Sequence, residues 1–429
     1  MASTPVRARL LAAAGWPNPR DLAATALILV LLALYAWRFV VPVLGAQAPR
    51  ADDFQDYLYA AGQIASGGDP YGDFIRNHVA WDWSLSSGYL YPPAFAVLLV
   101  PLTWMSNDLA VRVWLLLIQA AVLTSLVLVY RTIGRPRRGE LLAVVLAVTT
   151  FFPIATSVST GAMNSVLLLL LTIAWALWLR QKDAAGGVVA GVAAVIKVFP
   201  AALLPYFLFR RHWRLVAAML LTGLAGIGLG FLVTSPAHNL YYFRDMLPHL
   251  SAGTGYRENQ SLAGLASRLC DPSTVDHAGS AGWCGRALAW PADAVVVALI
   301  LVATRRQVRS GLEFGLAVCA LPLVSSVTWS FPLVLLVLPI ALLLRDMSSR
   351  PRSGWERRAL VLTWACFAVG PAFHYALIIH PLTGLLGDVV TRLLDESLLT
   401  GTVLLFGLLW MAVRRRPAAA ALEVNRLAA

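Results

Sequence analysis

Long apolar stretches alternate with short polar ones along most of the chain. Runs near 22–44, 108–130, 140–157, 164–180, 185–197, 198–209, 215–233, 288–304, 311–328, 330–345, 358–377 and 395–413 read as helical spans. Many approach the length at which an α-helix crosses about 30 Å of hydrocarbon. Segment 91–105 reads as a short span or a partly inserted helix, and 185–209 requires a tight hairpin. The pattern predicts an all-α fold, a polytopic transmembrane helical bundle of about 11–13 spans. The expected division is a cytoplasmic segment at 1–21, one integral-membrane domain at 22–413 and a cytoplasmic tail at 414–429. Arg7, Arg9 and Arg20 precede a run long enough to span, so no cleavable signal peptide is expected.

Composition sharpens this picture. The chain is 59% hydrophobic and 13% charged, with a mean hydropathy of +0.71. Soluble domains carry about 25% charged residues, so a soluble enzyme with an anchor is excluded. The net charge of +12 would suit a nucleic-acid binder, but the basic residues are scattered among short connections. With the N-terminus inside, 24 of the 34 Lys and Arg fall in inner segments and 7 in outer ones. That is the positive-inside asymmetry of a multi-pass membrane protein, and no nucleic-acid partner is expected.

The same orientation leaves two large outer loops. Loop 45–107 is acidic, with Asp52, Asp53, Asp56, Asp69, Asp73 and Asp82; loop 234–287 holds aromatics, arginines and two cysteines. Function in a helical bundle gathers on loops held by a rigid frame, so the working face is expected outside. No GxxxxGK[ST] occurs, and no GxGxxG between a strand and a helix, which argues against nucleotide chemistry. Cys319 and Cys366 fall in spans and read as small core residues. Cys270 and Cys284, 14 apart, are either a disulfide formed in an oxidising compartment or two free thiols. No Cys or His pair has metal-ligand spacing, so no metal site is expected.

Asp52, Asp53 and Asp56 form a carboxylate cluster beside the membrane. If 53–66 is helical, Asp52 and Asp56 share a face and Asp53 points away. Asp52 or Asp53 could instead cap that helix. Lys197 lies inside an apolar run with Pro200 close behind. A charge at membrane depth costs roughly 2.5–3.5 kcal/mol on insertion scales. Lys197 is therefore either a ligand for an anion at the hairpin tip or a side chain snorkelling to the interface.

Several motifs fall in register. Asp53-Phe54-x-x-Tyr57, Gly68-Asp69-Pro70-Tyr71 and Tyr91-Pro92-Pro93 open the series. Thr160-Gly161-Ala162-Met163-Asn164 follows, then Gly191 through Lys197 to Pro200, then Asn259-Gln260-Ser261-Leu262 with Arg268. In this order the sequence resembles family 87 glycosyltransferases over about residues 50–335. That family includes the mycobacterial polyprenol-phosphate-mannose-dependent α-1,2-mannosyltransferases. One departure stands out. Where the family often has S-P-x-S-W-x-H-H, this chain has Ser325-Ser326-Val327-Thr328-Trp329-Ser330-Phe331-Pro332, without the histidines.

The resemblance implies a GT-C fold and inverting transfer of a sugar from a polyprenyl-phosphate donor to a hydroxyl of a glycolipid or polysaccharide. Mannose is the sugar the family suggests. Asp53 matches the catalytic aspartate and would act as general base, with Asp52 and Asp56 as the alternatives. Lys197, Arg257 and Arg268 are candidates for the donor phosphate. Asp56, Tyr57, Tyr91, Asn164, Asn259, Gln260, Ser261 and Trp329 are candidates for substrate binding; the alternative reading of the tyrosines and the tryptophan is an interfacial belt, and that of Asn259, Gln260 and Ser261 is a helix cap. The lipid donor is a substrate, and no cofactor is expected. The implied place is the plasma membrane, multi-pass, with the site extracytoplasmic. The competing reading is a lipid or glycolipid flippase without catalysis; against it, no internal repeat is evident and charges within spans are few, namely Arg38, Arg112 and Lys197.

Overall fold

A computed structural model describes residues 19–72, 88–276, 279–305, 309, 311–351, 353–373 and 384–415. Asp73, Arg76, His78 and Asp82 of the acidic loop, and most of the two terminal segments, lie outside the described residues. Within them the chain is helical, and its β structure is one isolated bridge, Thr254 to Ser280.

The first helix, α1 (Pro19–Tyr35), runs on through a π turn (Ala36–Val40) to a last turn, Val41–Leu44. Then come α2 (Asp52–Ala65), α3 (Pro93–Leu99, continued by a 3-10 turn Val100–Trp104), α4 (Asn107–Ile133), α5 (Arg138–Thr150), α6 (Phe152–Thr160), α7 (Asn164–Leu179) and α8 (Asp183–Ile196). After a 3-10 turn, Phe199–Leu203, follow α9 (Leu204–Phe209), α10 (Trp213–Val233) and α11 (Pro236–Tyr241), the last extended by a π turn and Leu247–Ala252. The remainder is α12 (Leu262–Cys270), α13 (Trp283–Thr304), α14 (Gly311–Val324), a 3-10 stretch Phe331–Leu336 leading into α15 (Val337–Ser348), α16 (Gly354–Ala368), α17 (Gly384–Asp395) and α18 (Ser397–Arg415).

Among the described residues six helices are long and apolar enough to cross a membrane: Asp21–Leu44, Asn107–Ile133, Trp213–Val233, Trp283–Thr304, Phe331–Ser348 and Ser397–Arg415. The pair α5 and α6 makes a seventh, bent by 46°. Pro153 in the first turn of α6 accounts for that break, since proline supplies no amide to a continuing helix. Other apolar runs become shorter helices, among them α7, α8 and α14. Nearly every residue of α14 is buried, and α7 is largely so. A helix enclosed by protein need not match the thickness of the lipid. Segment 93–104 is a shorter apolar helix, below the length of the six long ones.

The 185–209 hairpin is formed. Asp183 at the start of α8 pairs with Arg309 at 2.7 Å, and His212, just past α9, lies 3.3 Å from the same carboxylate. Both ends of the segment therefore meet, and the chain reverses at Lys197. Glycine lets α8 lie against α10: a Cβ on Gly187 would fall 2.2 Å from the Leu215 carbonyl oxygen. Ion pairs tie together segments far apart in the chain, as in Arg138–Asp21 at 2.6 Å, Arg345–Glu140 at 3.1 Å and Arg268–Glu396 at 2.6 Å. Cys270 and Cys284 form a disulfide between α12 and the start of α13, their Cα atoms 5.9 Å apart.

Candidate active site

Helix α2 begins abruptly. Its N-cap is Ala51, held at φ 51° and ψ 56° with no side chain capping the first turn. The capping alternative for Asp52 and Asp53 is thus corrected: both lie inside the helix, where the positive end of its dipole favours a carboxylate. Asp53 and Asp56, three residues apart, open on one cavity of about 650 Å³. Asp52 is exposed and borders a separate cleft with Arg50, Gln55 and Asp108. The expected grouping of Asp52 with Asp56 is therefore replaced by Asp53 with Asp56. Positions i and i+3 are also neighbours on a helix, and the cavity lies on that sector.

Packing fixes the direction of Asp53. Phe54, its neighbour, is fully buried and stacks on Trp114 of α4 at 5.0 Å, with 13° between the rings. Trp114 Nε1 donates to the Gly161 carbonyl at 2.6 Å. Gly161 takes the left-handed conformation that ends α6, at φ 71°. The Thr160-Gly161 turn is thereby clamped against the first turn of α2. Burial lifts the Asp53 carboxyl to about 7, against opposition from Lys197 and Thr160 and with help from Asp56 and Asp52. Burial likewise raises Asp56 to about 6, although the Gly88 amide, donating to its Oδ2 at 2.8 Å, favours the charged form. Such poised carboxylates suit proton transfer near neutral pH.

Lys197 lines the same cavity, in extended backbone where the hairpin turns. Its ammonium donates to Asn164 Oδ1 at 3.4 Å and lies 5.5 Å from the Tyr91 ring centre and 5.6 Å from that of Phe199. Among the described residues no carboxylate is within ion-pair distance of it, and the amide nitrogen of Asn164 is buried without a protein partner. A cation held mainly by an amide and two ring faces keeps capacity for an anion. Tyr57 and Tyr91 are not belt residues: 1% and 9% exposed, they share a hydroxyl contact of 3.0 Å inside an aromatic cluster with Phe95.

The segment 325–332 forms another wall, and Trp329, Phe331 and Pro332 all face the cavity. The positions that lack the family's histidines thus border the site and make it more apolar there. Asn259, Gln260 and Ser261 are buried and hold this wall rather than line the cavity. The Thr328 amide donates to Asn259 Oδ1 at 2.9 Å, Asn259 Nδ2 donates to the Ser326 carbonyl at 3.0 Å, and the Gln260 amide donates to the Thr328 carbonyl at 2.7 Å. Ser261 does cap α12, accepting from the Gly264 amide at 3.1 Å. Arg268 is buried, grips Glu396 through two nitrogens at 2.6 and 2.8 Å, and donates to the carbonyls of Gly255, Tyr256 and Asn259. Arg257 pairs with Asp276. Neither arginine lines the cavity.

Sequence reasoning passed over Thr156 and Ser159 of α6, together with Tyr242 and Glu258, and saw Thr160 only as the start of the Gly161 turn; all five line the cavity. The three hydroxyls sit on an apolar helix ending at the Gly161 turn, and reading that helix by faces would have singled them out.

The fold is that of a multi-pass helical membrane protein, and its main polar residues, Asp53, Asp56 and Lys197, meet in one cavity among its helices. The chain belongs to glycosyltransferase family 87, whose profile matches residues 89–326. It is 29% identical, over 79% of its length and 78% of the relative's, to the polyprenol-phosphate-mannose-dependent alpha-(1-2)-phosphatidylinositol mannoside mannosyltransferase of Mycobacterium tuberculosis. It is 28% identical, over 84% and 80%, to that organism's phosphatidylinositol pentamannoside mannosyltransferase of the same donor dependence. Among solved structures it is similar to ArnT from Cupriavidus metallidurans bound to undecaprenyl phosphate, at 14% identity and a TM-score of 0.46, over 94% of this chain and 77% of that one.

Proposed function

We propose that this cavity transfers mannose, with inversion, from a polyprenyl-phosphate-mannose donor to a hydroxyl of a glycolipid or polysaccharide at the extracytoplasmic face of the plasma membrane. The observation that carries the reading is the meeting of Asp53 and Lys197 in one cavity, where among the described residues no carboxylate lies within ion-pair distance of the lysine. Asp53 accepts the proton of the acceptor hydroxyl as that oxygen attacks the sugar's C1. The bond from C1 to the phosphate oxygen breaks, and polyprenyl phosphate leaves with its charge beside Lys197. Asn164 keeps Lys197 in place. Asp56 and Trp329 contact the sugars, and Asn259, Gln260, Ser261 and Arg268 serve by holding the wall that carries Trp329. Mannose is supported by the names of the relatives, and the outer face by the asymmetry of basic residues. The donor ester is itself activated, so the step draws on no cofactor.

Purified protein in detergent, given polyprenyl-phosphate-mannose and a mannoside acceptor with no energy source, should release polyprenyl phosphate and a lengthened glycan in equal amounts. Lipid movement across vesicles without either product would support the flippase reading instead. The face is tested by cysteine labelling after Cys319 and Cys366 are replaced by Ser. Ser66→Cys should react with an impermeant maleimide in spheroplasts, and Ser349→Cys only after lysis. The reverse would move the site to the cytoplasm.

A further inference from the structure

A second cavity, of about 420 Å³, adjoins the first between α1 and α6. The two share Thr156 and Ser159 in their walls. Apart from those hydroxyls its lining is apolar, with Phe39 and Val43 buried in its floor, and it holds one charge, Arg38. Arg38 is exposed, lies 5.2 Å over the Phe39 ring, and has no carboxylate partner among the described residues.

Two features show that this arginine is placed. It is carried by the π turn Ala36–Val40, a widened helix form common at functional sites. Gln119 of α4 donates to the Phe39 carbonyl at 3.3 Å, giving a partner to an acceptor within that turn. The neighbour of Arg38 in the chain, Trp37, is 73% exposed. Exposed tryptophans of membrane proteins settle at the headgroup level. Arg38 therefore stands where lipid phosphates lie, and the surrounding α1 surface is apolar, with Leu34, Val41 and Leu44 exposed.

We propose that this groove docks the acceptor, which is a membrane glycolipid bearing an anionic phosphodiester between its acyl chains and its glycan. The inference rests on the proposed transfer reaction. Arg38 binds the phosphodiester, the acyl chains lie along α1, and the glycan passes Thr156 and Ser159 to bring its hydroxyl to Asp53. The donor phosphate uses Lys197, so the two lipids enter with separate cations. Charge complementarity and continuity with the catalytic cavity carry the assignment.

The test compares wild type, Arg38→Gln and Arg38→Lys, with polyprenyl-phosphate-mannose as donor. The acceptors are phosphatidylinositol mannoside, which is anionic, and octyl α-mannoside, which is neutral. Loss of a charge-assisted contact should raise the KM for phosphatidylinositol mannoside in Arg38→Gln roughly 10–100-fold. The KM values for donor and for octyl α-mannoside should not move, and Arg38→Lys should recover most of the loss. A rise in the donor KM would place the donor lipid in the groove and overturn the proposal; so would equal effects on both acceptors, no effect on either, or a wild type that uses only the neutral acceptor. If wild type transfers mannose to neither, the proposed function has failed, and native mass spectrometry with added phosphatidylinositol then judges the groove alone. Wild type should retain one such lipid more than Arg38→Gln does, and equal retention would overturn the assignment.

Discussion

Gly161 stands so close to Phe54 that a Cβ built on it would lie 2.9 Å from the Phe54 Cβ. The same atom would be 3.0 Å from the Ala51 Cβ, so the turn after α6 and the start of α2 meet almost backbone to backbone. Asp53 lies between these two contact points in sequence, and its direction depends on that approach. Gly161→Ala combines the crowding with a left-handed φ, costing about 1–3 kcal/mol. The expected result is a lowered Tm in detergent and a kcat reduced by roughly tenfold or more, since small displacements of a catalytic group are costly. Unchanged kcat in a folded variant would show that Asp53 does not need this clamp.

Lys197 makes a second, separable prediction. Lys197→Met retains the stem and removes the charge. If the ammonium stabilises the departing phosphate, kcat/KM for the donor should fall by about 10²–10³ while the protein still folds. Full activity would leave snorkelling as the lysine's whole role.

The pH dependence follows from burial of Asp53, whose carboxyl is raised to about 7. The base must be ionised, so transfer should rise between pH 6 and 8 with an apparent pKa near 7. Stability should run the other way. A carboxyl raised above its unfolded value of about 3.9 contributes stability that is present below that value and lost as pH rises through the folded one. Asp53→Asn removes the loss. Relative to wild type its Tm should therefore be higher at pH 8 than at pH 5, and a relative Tm that is independent of pH would contradict the assignment of a buried, poised acid.

Arg268 is bound to Glu396 and three carbonyls, which makes it a part of the frame. Arg268→Met leaves a largely buried Glu396 and those oxygens unpaired, at a cost of about 3–5 kcal/mol. The variant should lose folded protein or show a sharply lower Tm. A stable variant with only a raised donor KM would return Arg268 to the phosphate site.

Much of this arrangement was legible in the chain. Carboxylates packed into Asp52-Asp53-x-x-Asp56, and a lysine inside an apolar hairpin, are costly residues whose positions ask for a use, and the structure brings Asp53, Asp56 and Lys197 into one cavity. Arg257 and Arg268 drew notice for the same reason, yet their partners could not be read. Glu396 is 128 residues from Arg268, and nothing local announces the pair. The grouping of Asp52 with Asp56 failed because helical spacing permits two neighbours and only packing by Phe54 and Trp114 selects one. Thr156 and Ser159 stayed hidden among apolar residues because hydroxyls are unremarkable in membrane helices, and Thr160 was seen only as the start of the Gly161 turn. The span count followed hydropathy, which does not distinguish a helix that faces lipid from one, like α14, enclosed by other helices.

The most direct measurement is mannose transfer from polyprenyl-phosphate-mannose by Asp53→Asn and Asp56→Asn, purified alongside wild type. The amide at position 53 cannot accept the acceptor's proton, and loss of a general base lowers the rate by about 10²–10⁴. Asp53→Asn should bind donor and fold as wild type but show that loss in kcat, whereas Asp56→Asn should retain transfer with a weakened acceptor KM. Near-normal turnover by Asp53→Asn, with Asp56→Asn inactive, would place the base one helical turn further on and contradict the account.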